Sequence, residues 1–415
     1  MRILFCCEFY SPSKGGVQKV MQEIAERLVK RGHHVDVATT RLAGRCCPLI
    51  NGVKIHEFEI SGNIATGLKG EVKRFQDFLV FSSYDVLMVK AAQQWTFDAM
   101  WPVLPEIKAK KVHIPCGYSG LYDPAYSDYF KKMPAVLKRF DRLIYYSNNY
   151  RDINFARKHN IENYFIIPNG ASEIEFKDYN SGDFRKLLGI PEDDFVFLTV
   201  GSPPFMKGHL EVALAYKMLE LPFSSTLILN GCYSDCENPF TFNRKGYYKE
   251  KLRKNVKLIL RLYHPTDLDK FFKTIKSINK QPRKKVIICN LPREDVISAF
   301  FESDLFLFAS HIEYSPLVLF EAAAAGLPFL SASVGNAEEI CKWTQSGIVY
   351  PVKTLENGYS PSDPKCLADH IKKLTADPDQ LKTLGIQGRQ NWSRKFTWEA
   401  ITNEYEKIFE GIMKC

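Results

Sequence analysis

The stretch LFLFASHIEYSPLVLFEAAAAGLPFL, residues 305–330, decides how the rest of the chain is read. Leu305 to Phe308 is a short continuous apolar run of the length of a buried strand, Leu317 to Ala325 has a helical pattern, and Phe329-Leu330 opens another strand. Strand, loop, helix and strand in that order build a parallel sheet of the α/β class. Two carboxylates flank the helix start. Ser315 is expected as its N-cap and Pro316 as its first residue, which leaves the N–H groups of Leu317 and Val318 without intrahelical partners and able to meet an anion. Glu321, just over one turn further in, is placed to accept hydrogen bonds from neutral hydroxyls such as a ribose diol. Glu313, in the loop, is placed to meet a sugar. The plainer alternative is a surface glutamate and a helix-capping carboxylate.

The same alternation extends outward in both directions. Upstream, Phe195 to Val200, Thr226 to Leu229 and Val286 to Cys289 read as strands, and Ile348-Val349 follows downstream. An earlier series comprises Ile3 to Cys7, Val35 to Ala38, Val86 to Val89, Val112 to Ile114, Leu143 to Tyr146 and Phe165 to Ile167. Between the first two of these, Val17, Val20, Met21, Ile24 and Leu28 recur at helical spacing until Gly32. The turn Pro168-Asn169-Gly170 and the polar stretch that follows suit an interdomain connection. The expected division is therefore residues 1–180 and residues 181–396, with a last amphipathic helix, 397–415, docking through Trp398, Ile401, Tyr405, Ile408, Phe409 and Ile412. A chain of 415 residues suits two such cores, since one core rarely grows past about 250–300 residues.

Composition narrows the class further. Apolar residues make up 45% and charged residues 25%, which leaves little room for long disorder, a collagen-like repeat or a coiled coil. No apolar run reaches membrane-spanning length, and the opening apolar run is too short for a leader core, so a cytoplasmic location is expected. The eleven cysteines, an odd number with adjacent pairs at Cys6-Cys7 and Cys46-Cys47, do not resemble a secreted disulfide framework. Cys232 and Cys236 lack a second pair at zinc spacing, and no metal is expected. Net charge is +9, and residues 244–285 alone hold fifteen Lys or Arg against Glu250, Asp267 and Asp269. That segment lies in an expected insertion, 232–285. It reads either as a solvated face or as a surface attracted to an anionic membrane or acceptor, with the protein then peripheral at the membrane; nucleic acid is not the expected partner.

Two further loops have the makings of anion sites. Gly15-Gly16 stands where the first strand gives way to a helix, though the spacing is not that of a dinucleotide fingerprint. Gly201-Ser202-Pro203-Pro204-Phe205-Met206-Lys207-Gly208 repeats the device after the strand 195–200 and adds a lysine able to neutralise phosphate oxygens. It lacks the hydroxyl that follows the lysine in a magnesium-dependent P-loop. For each loop the plainer reading is turn geometry and a solvent-facing lysine.

Taken together, these residues resemble the retaining GT-B glycosyltransferases of family 4, which carry a Glu-x7-Glu motif matched by Glu313 and Glu321. Gly15-Gly16-Val17-Gln18, Lys30 to Val35, Ile167 to Gly170, Lys207-Gly208 and Phe396 to Glu399 follow in the family's order, so the resemblance spans nearly the whole chain. It implies two Rossmann-like, doubly wound parallel-sheet domains facing a cleft, with the donor held mainly by the second and the acceptor by the first. It also implies that the Gly15-Gly16 backbone and Lys207 contact a donor diphosphate, with the Leu317 and Val318 amides also on phosphate. Glu321 then meets the ribose and Glu313 the transferred sugar. The activity implied is metal-independent transfer of a hexose-type sugar, with retention, from a nucleoside-diphosphate sugar (UDP-sugar favoured) to a glycan, lipid-linked or cell-surface polysaccharide acceptor. No cofactor is implied beyond the substrate nucleotide sugar.

Two positions depart from the family pattern. Ser202 stands where an arginine is usual, and Arg293 or Lys14 is the candidate replacement. Cys116 stands where a histidine is usual, and His113 falls three residues early. Cys116, Tyr118 and Tyr122, with His113 if the register is shifted, are the acceptor-side candidates. The departures motivate a rival reading, a sugar-nucleotide-binding or scaffold protein without transfer activity; an epimerase on the same fold is a third.

Overall fold

The computed structural model describes residues 1–177, 184–202, 205–231 and 265–414. They form two compact units, Met1–Gly170 with Phe396–Cys415, and Ala171–Lys395. The division falls earlier than the 180/181 boundary read from the sequence because the connecting residues pack on the second unit. Glu175 Oε2 accepts from Arg293 Nη2 at 2.7 Å, Phe176 meets the rings of Phe300 and Phe301 at 6.1 and 5.8 Å, and the Lys177 carbonyl accepts from Arg389 Nη2 at 2.8 Å.

In the first unit the strands are β1 (Arg2–Cys6), β2 (His34–Thr40), β3 (Leu49–Ile50), β4 (Val53–Phe58), β5 (Ile60–Ser61), β6 (Lys69–Gly70), β7 (Val86–Lys90), β8 (Lys110–Ile114), β9 (Arg142–Tyr145) and β10 (Tyr164–Ile166). All but β5 and β6, which pair with each other, join one sheet in the order β10-β9-β8-β7-β1-β2-β4-β3. Only the β3–β4 pair in that sheet is antiparallel. The second unit holds β11 (Phe195–Val200), β12 (Ser225–Asn230), β13 (Lys284–Cys289), β14 (Leu305–Phe308), β15 (Phe329–Ala332) and β16 (Gly347–Tyr350), all parallel, in the order β13-β12-β11-β14-β15-β16. Every residue of β12, β14 and β15 is buried, which is why these strands appear in the sequence as unbroken apolar runs. Strand β4 adds to the expected set: Lys54, His56 and Glu57 interrupt its apolar residues, and only Val53, Ile55 and Phe58 are buried.

The strand orders fix where ligands can sit. In an open parallel sheet, crossovers that leave a strand in opposite directions open a crevice at the carboxyl ends. In the second unit this switch point lies between β11 and β14, the two strands whose following loops carry Lys207 and Glu313. In the first it lies between β1 and β7, which pair directly.

The last helix, Trp398–Met413, returns to the first unit as expected. Thr397 caps it, its side chain accepting from the Ala400 amide at 3.1 Å. The six apolar residues of the predicted stripe are all buried, each worth of order 2 kcal/mol. Arg31 pairs with Glu399 at 2.7 Å and also with Glu406, while His33 Nε2 lies 2.6 Å from Glu406. The two chain crossings between units touch: a Cβ on Gly170 would lie 2.4 Å from the Phe396 carbonyl oxygen, so that position tolerates no side chain.

Residues 232–264, which hold much of the expected insertion and the first half of the basic segment 244–285, lie outside the described residues. Beyond them come the helix Pro265–Ile278 and β13. Two of the segment's cations are structural, which corrects their place in an attractive surface. Lys284 Nζ donates to the carbonyls of Tyr216 and Lys217 at 3.1 and 3.2 Å, satisfying the end of the helix His209–Met218, and Lys285 Nζ donates to the Gly189 carbonyl at 2.6 Å. Lys270, Lys273, Lys276, Lys280 and Arg283 are exposed, while Phe271, Ile275 and Ile278 bury the opposite face of the helix. No described helix is long and apolar enough to cross a membrane.

Candidate active site

The loop after β11 is shaped by its glycines. A Cβ on Gly201 would lie 2.7 Å from Lys207 Cγ, so the glycine leaves room for the lysine stem. Gly208 takes a left-handed φ of +75°, and a Cβ there would meet the Ala309 carbonyl oxygen at 2.0 Å. Lys207 is thereby fixed beside the second loop, the one after β14. A hydrogen bond joins the loops: the His311 amide donates to the Met206 carbonyl at 2.9 Å, and Ser310 Oγ lies 3.2 Å from the same oxygen. Residues 203 and 204 of the expected glycine loop lie outside the described residues, and Ser202 is exposed.

Across this junction the Lys207 ammonium pairs with the Glu313 carboxylate, which also accepts from Ser310 Oγ at 2.8 Å. Glu313 is only 13% exposed and Lys207 24%, so the pair is shielded while its lysine still reaches solvent. A third loop presses from behind. Gly335, at φ +57°, has no room for a Cβ within 2.6 Å of the Tyr314 carbonyl oxygen, and the Asn336 amide donates to that oxygen at 2.9 Å. Neither Ser310 nor the Gly335-Asn336 turn stood out in the sequence, since a serine and a Gly-Asn turn are ordinary loop residues until the strands bring them together.

The helix between the two glutamates runs Leu317–Ala325 and ends at left-handed Gly326, φ +71°. Its N-cap is Pro316, with ψ 117° and no side-chain cap. This corrects the expected cap at Ser315: the proline keeps an extended ψ and holds the serine one residue outside the helix. Leu317 and Val318 are the first two residues of the helix, where N–H groups have no intrahelical partner.

Glu321 sits in this helix, 8% exposed, and is not waiting unoccupied. Arg293 Nη2 donates to Glu321 Oε1 at 2.6 Å and to Glu175 Oε2 at 2.7 Å. Burial works against the Arg293 charge, but the two carboxylates outweigh it and raise its pKa above the ordinary arginine value. Arg293, one of the two replacements considered for the missing arginine at 202, thus stands beside the expected ribose carboxylate. Glu175, its second partner, belongs to the connection and was not singled out in the sequence. A hydroxyl that binds Glu321 shares the carboxylate with this guanidinium.

In the first unit, Gly15 and Gly16 are exposed and open the helix Gly16–Lys30 with no side-chain cap. The four acceptor-side candidates separate into two pairs. His113 is fully buried, stacked on Phe97 at 4.0 Å, with Nδ1 3.1 Å from the Val89 carbonyl oxygen; burial lowers its pKa to about 3. It is a neutral core histidine, which corrects its place among the acceptor candidates. Tyr118, 1% exposed, packs edge-on against Phe130 and Phe155 at 5.3 and 5.5 Å and leaves the candidate set for the same reason. Tyr122 is 74% exposed with the Arg151 guanidinium 5.7 Å from its ring centroid, and Cys116 lies partly open in a left-handed turn, φ 62°.

Comparison with known proteins agrees with this geometry. Residues 278–391 match the model of glycosyl transferases group 1. An uncharacterized glycosyltransferase of Methanocaldococcus jannaschii is 22% identical over 96% of this chain and 95% of its own. N-acetyl-alpha-D-glucosaminyl L-malate synthase of Bacillus anthracis is 27% identical over 122 residues, 29% of this chain and 30% of that relative, so this match spans less than a third of it. Among solved structures, Anabaena HepE in complex with UDP-glucose superposes with a TM-score of 0.67 at 16% identity, covering 99% of this chain and 100% of that one. The match across the segment holding both glutamates makes residues 278–391 similar to the glycosyl transferases group 1, and the two Rossmann-like sheets place the chain on the GT-B fold.

Proposed function

We propose that the protein transfers a hexose-type sugar from a nucleoside-diphosphate sugar, with UDP-sugar the favoured donor, to a glycan, lipid-linked or cell-surface polysaccharide acceptor, retaining the anomeric configuration and needing no metal. The observation that carries this reading is the Lys207–Glu313 pair beside the open N-terminus of the helix Leu317–Ala325, at the switch point of the second sheet. Breaking the anomeric C–O bond leaves negative charge on the diphosphate and an oxocarbenium-like sugar. Lys207 and the Leu317 and Val318 amides are fixed donors for that charge, acting without solvent reorganisation. Glu313 holds the sugar and Glu321 the ribose. As the bond to the diphosphate oxygen breaks, the acceptor oxygen bonds to the anomeric carbon from the same face and its proton passes to the departing oxygen. The UDP-glucose bound to the structurally similar HepE supports the donor class.

The experiment is mass-spectrometric detection of hydrolysis or transfer with UDP- and GDP-sugars, with and without a chelator, and with the anomeric configuration of the product read by NMR. Turnover unchanged by chelator is expected; complete dependence on an added divalent cation would count decisively against the reading. Donor binding without turnover over a broad acceptor panel favours the rival sugar-nucleotide-binding protein.

Attraction to an anionic membrane is part of the same proposal, supported by the exposed stripe Lys270, Lys273, Lys276 and Lys280. Co-sedimentation with phosphatidylserine vesicles is expected to weaken as salt shortens the Debye length from about 10 Å at 0.1 M to about 3 Å at 1 M. Replacing these four lysines by glutamine should reduce it further, and vesicle binding indifferent to both changes removes the membrane from the reading.

A further inference from the structure

The switch point of the first sheet holds a cation that the transfer chemistry does not use. Lys90, the last residue of β7, is 1% exposed. Its ammonium lies 5.0 Å from the centre of the Tyr146 ring, and among the described residues no hydrogen bond or ion pair reaches it. Burial pulls its pKa down to about 8, opposed only by the nearby Cys116 and Cys7 thiols, so at neutral pH the group remains largely charged. An uncompensated ammonium in such a place costs stability that an apolar side chain would not.

Its place in the sheet is the switch point, where an open parallel sheet binds ligands. Cys7 directly follows β1 and Lys90 ends β7, the two strands that flank the switch point, and Cys116 lies in the loop after the neighbouring β8. The loops after β7 and β8 are held in an unusual cluster of left-handed conformations at non-glycine residues: Ala91 and Gln93 in one, Cys116 and Tyr118 in the other. Such strain gathers at ligand sites, where the surrounding structure enforces it. Here the Ala91 and Ala92 amides donate to the Ile114 and Pro115 carbonyls, and Gln93 Oε1 accepts from the Gly120 amide at 3.1 Å.

We infer that Lys90 is the anion contact of the acceptor site, and that the acceptor carries a carboxylate that docks beside Cys7 and Cys116. The inference rests on the proposed transfer reaction only in calling the occupant an acceptor. Charge matching selects a carboxylate over a phosphate. Lys90 offers one positive charge, and Arg45, the other cation near Cys7, is committed to Glu57 and to the carbonyls of Ser11 and Tyr10. The buried Asp152, which accepts from the Gly117 amide at 2.8 Å behind Cys116, adds negative charge that a dianion would have to face. The thiols stay neutral, burial raising the pKa of each, and can donate weakly to a monoanion.

The test uses the full chain without donor. Titration calorimetry compares glucuronate with glucose, which differ in the carboxylate at one carbon, and with glucose 6-phosphate as the phosphate arm. The wild-type protein is expected to bind glucuronate about tenfold more tightly than glucose, the yield of one charge-assisted hydrogen bond. Lys90→Met is expected to erase that preference and to raise Tm, with UDP affinity as the check that the second unit is intact. No preference in the wild type, or a preference that survives Lys90→Met, overturns the assignment. Tighter binding of glucose 6-phosphate than of glucuronate overturns the choice of carboxylate. The wild-type comparison stands whatever the variant's stability. Because no donor is present, absence of sugar transfer would remove the proposed reaction and leave this site to be judged separately.

Discussion

Lys207→Ala is expected to lower the rate of donor cleavage about 10²–10³-fold, the usual loss when one fixed donor to a developing negative charge is removed. Two glycines and the inter-loop hydrogen bond from the His311 amide to the Met206 carbonyl hold this lysine in place. Its partner is Glu313, so the deletion also takes the lysine's charge away from a carboxylate that is only 13% exposed. A double-mutant cycle with Glu313→Gln separates the two effects. If Lys207 acts on the diphosphate, Lys207→Ala remains slow in the Glu313→Gln background, measured as UDP released per enzyme in single-turnover conditions. If the lysine serves only to neutralise Glu313, the second substitution restores most of the rate, and the assigned role falls.

The second large effect is on folding. Gly208→Ala is expected to destabilise the second unit by about 2–4 kcal/mol, combining a left-handed penalty of about 1–2 kcal/mol with the shift needed to clear the backbone of Ala309. Ala309 precedes the Glu313 loop, so the shift is also felt at the Lys207–Glu313 pair. Gly201→Ala is the informative contrast. Its new Cβ would lie 2.7 and 2.9 Å from Lys207 Cγ and Cβ, with no backbone oxygen in the way and no left-handed φ, so stability should fall less than for Gly208→Ala while displacement of the lysine stem slows cleavage. Urea unfolding of both variants beside their activities checks the distinction; equal loss of stability in the two would show that the space around Lys207 is set by something other than these glycines.

The buried parallel strands were legible in the sequence because both their faces are covered. Phe195–Val200 and Leu305–Phe308 fall at the expected residues, and the other expected strands shift by one or two residues at their ends. Strand β4 escaped because one face is half open, and Lys54, His56 and Glu57 break the apolar run. At the site, Glu313, Glu321 and Lys207 were legible from the residue types that follow strands and open helices. What escaped depends on distant pairing. Glu175 and Arg293 are 118 residues apart in sequence, and no local pattern announces that they share a salt bridge with Glu321. His113 and Tyr118 illustrate the converse: residue type suggested a ligand contact, but only their packing neighbours reveal that both face the core.

The chain leaves the first unit at Gly170 and re-enters it at Phe396, so in topology the second unit interrupts the first. On the ribosome, all of Ala171–Lys395 emerges before the helix Trp398–Met413 that covers an apolar face of the first unit. The nascent first unit therefore keeps that face bare throughout synthesis of the second, and it is closed only once Trp398–Met413 has been made.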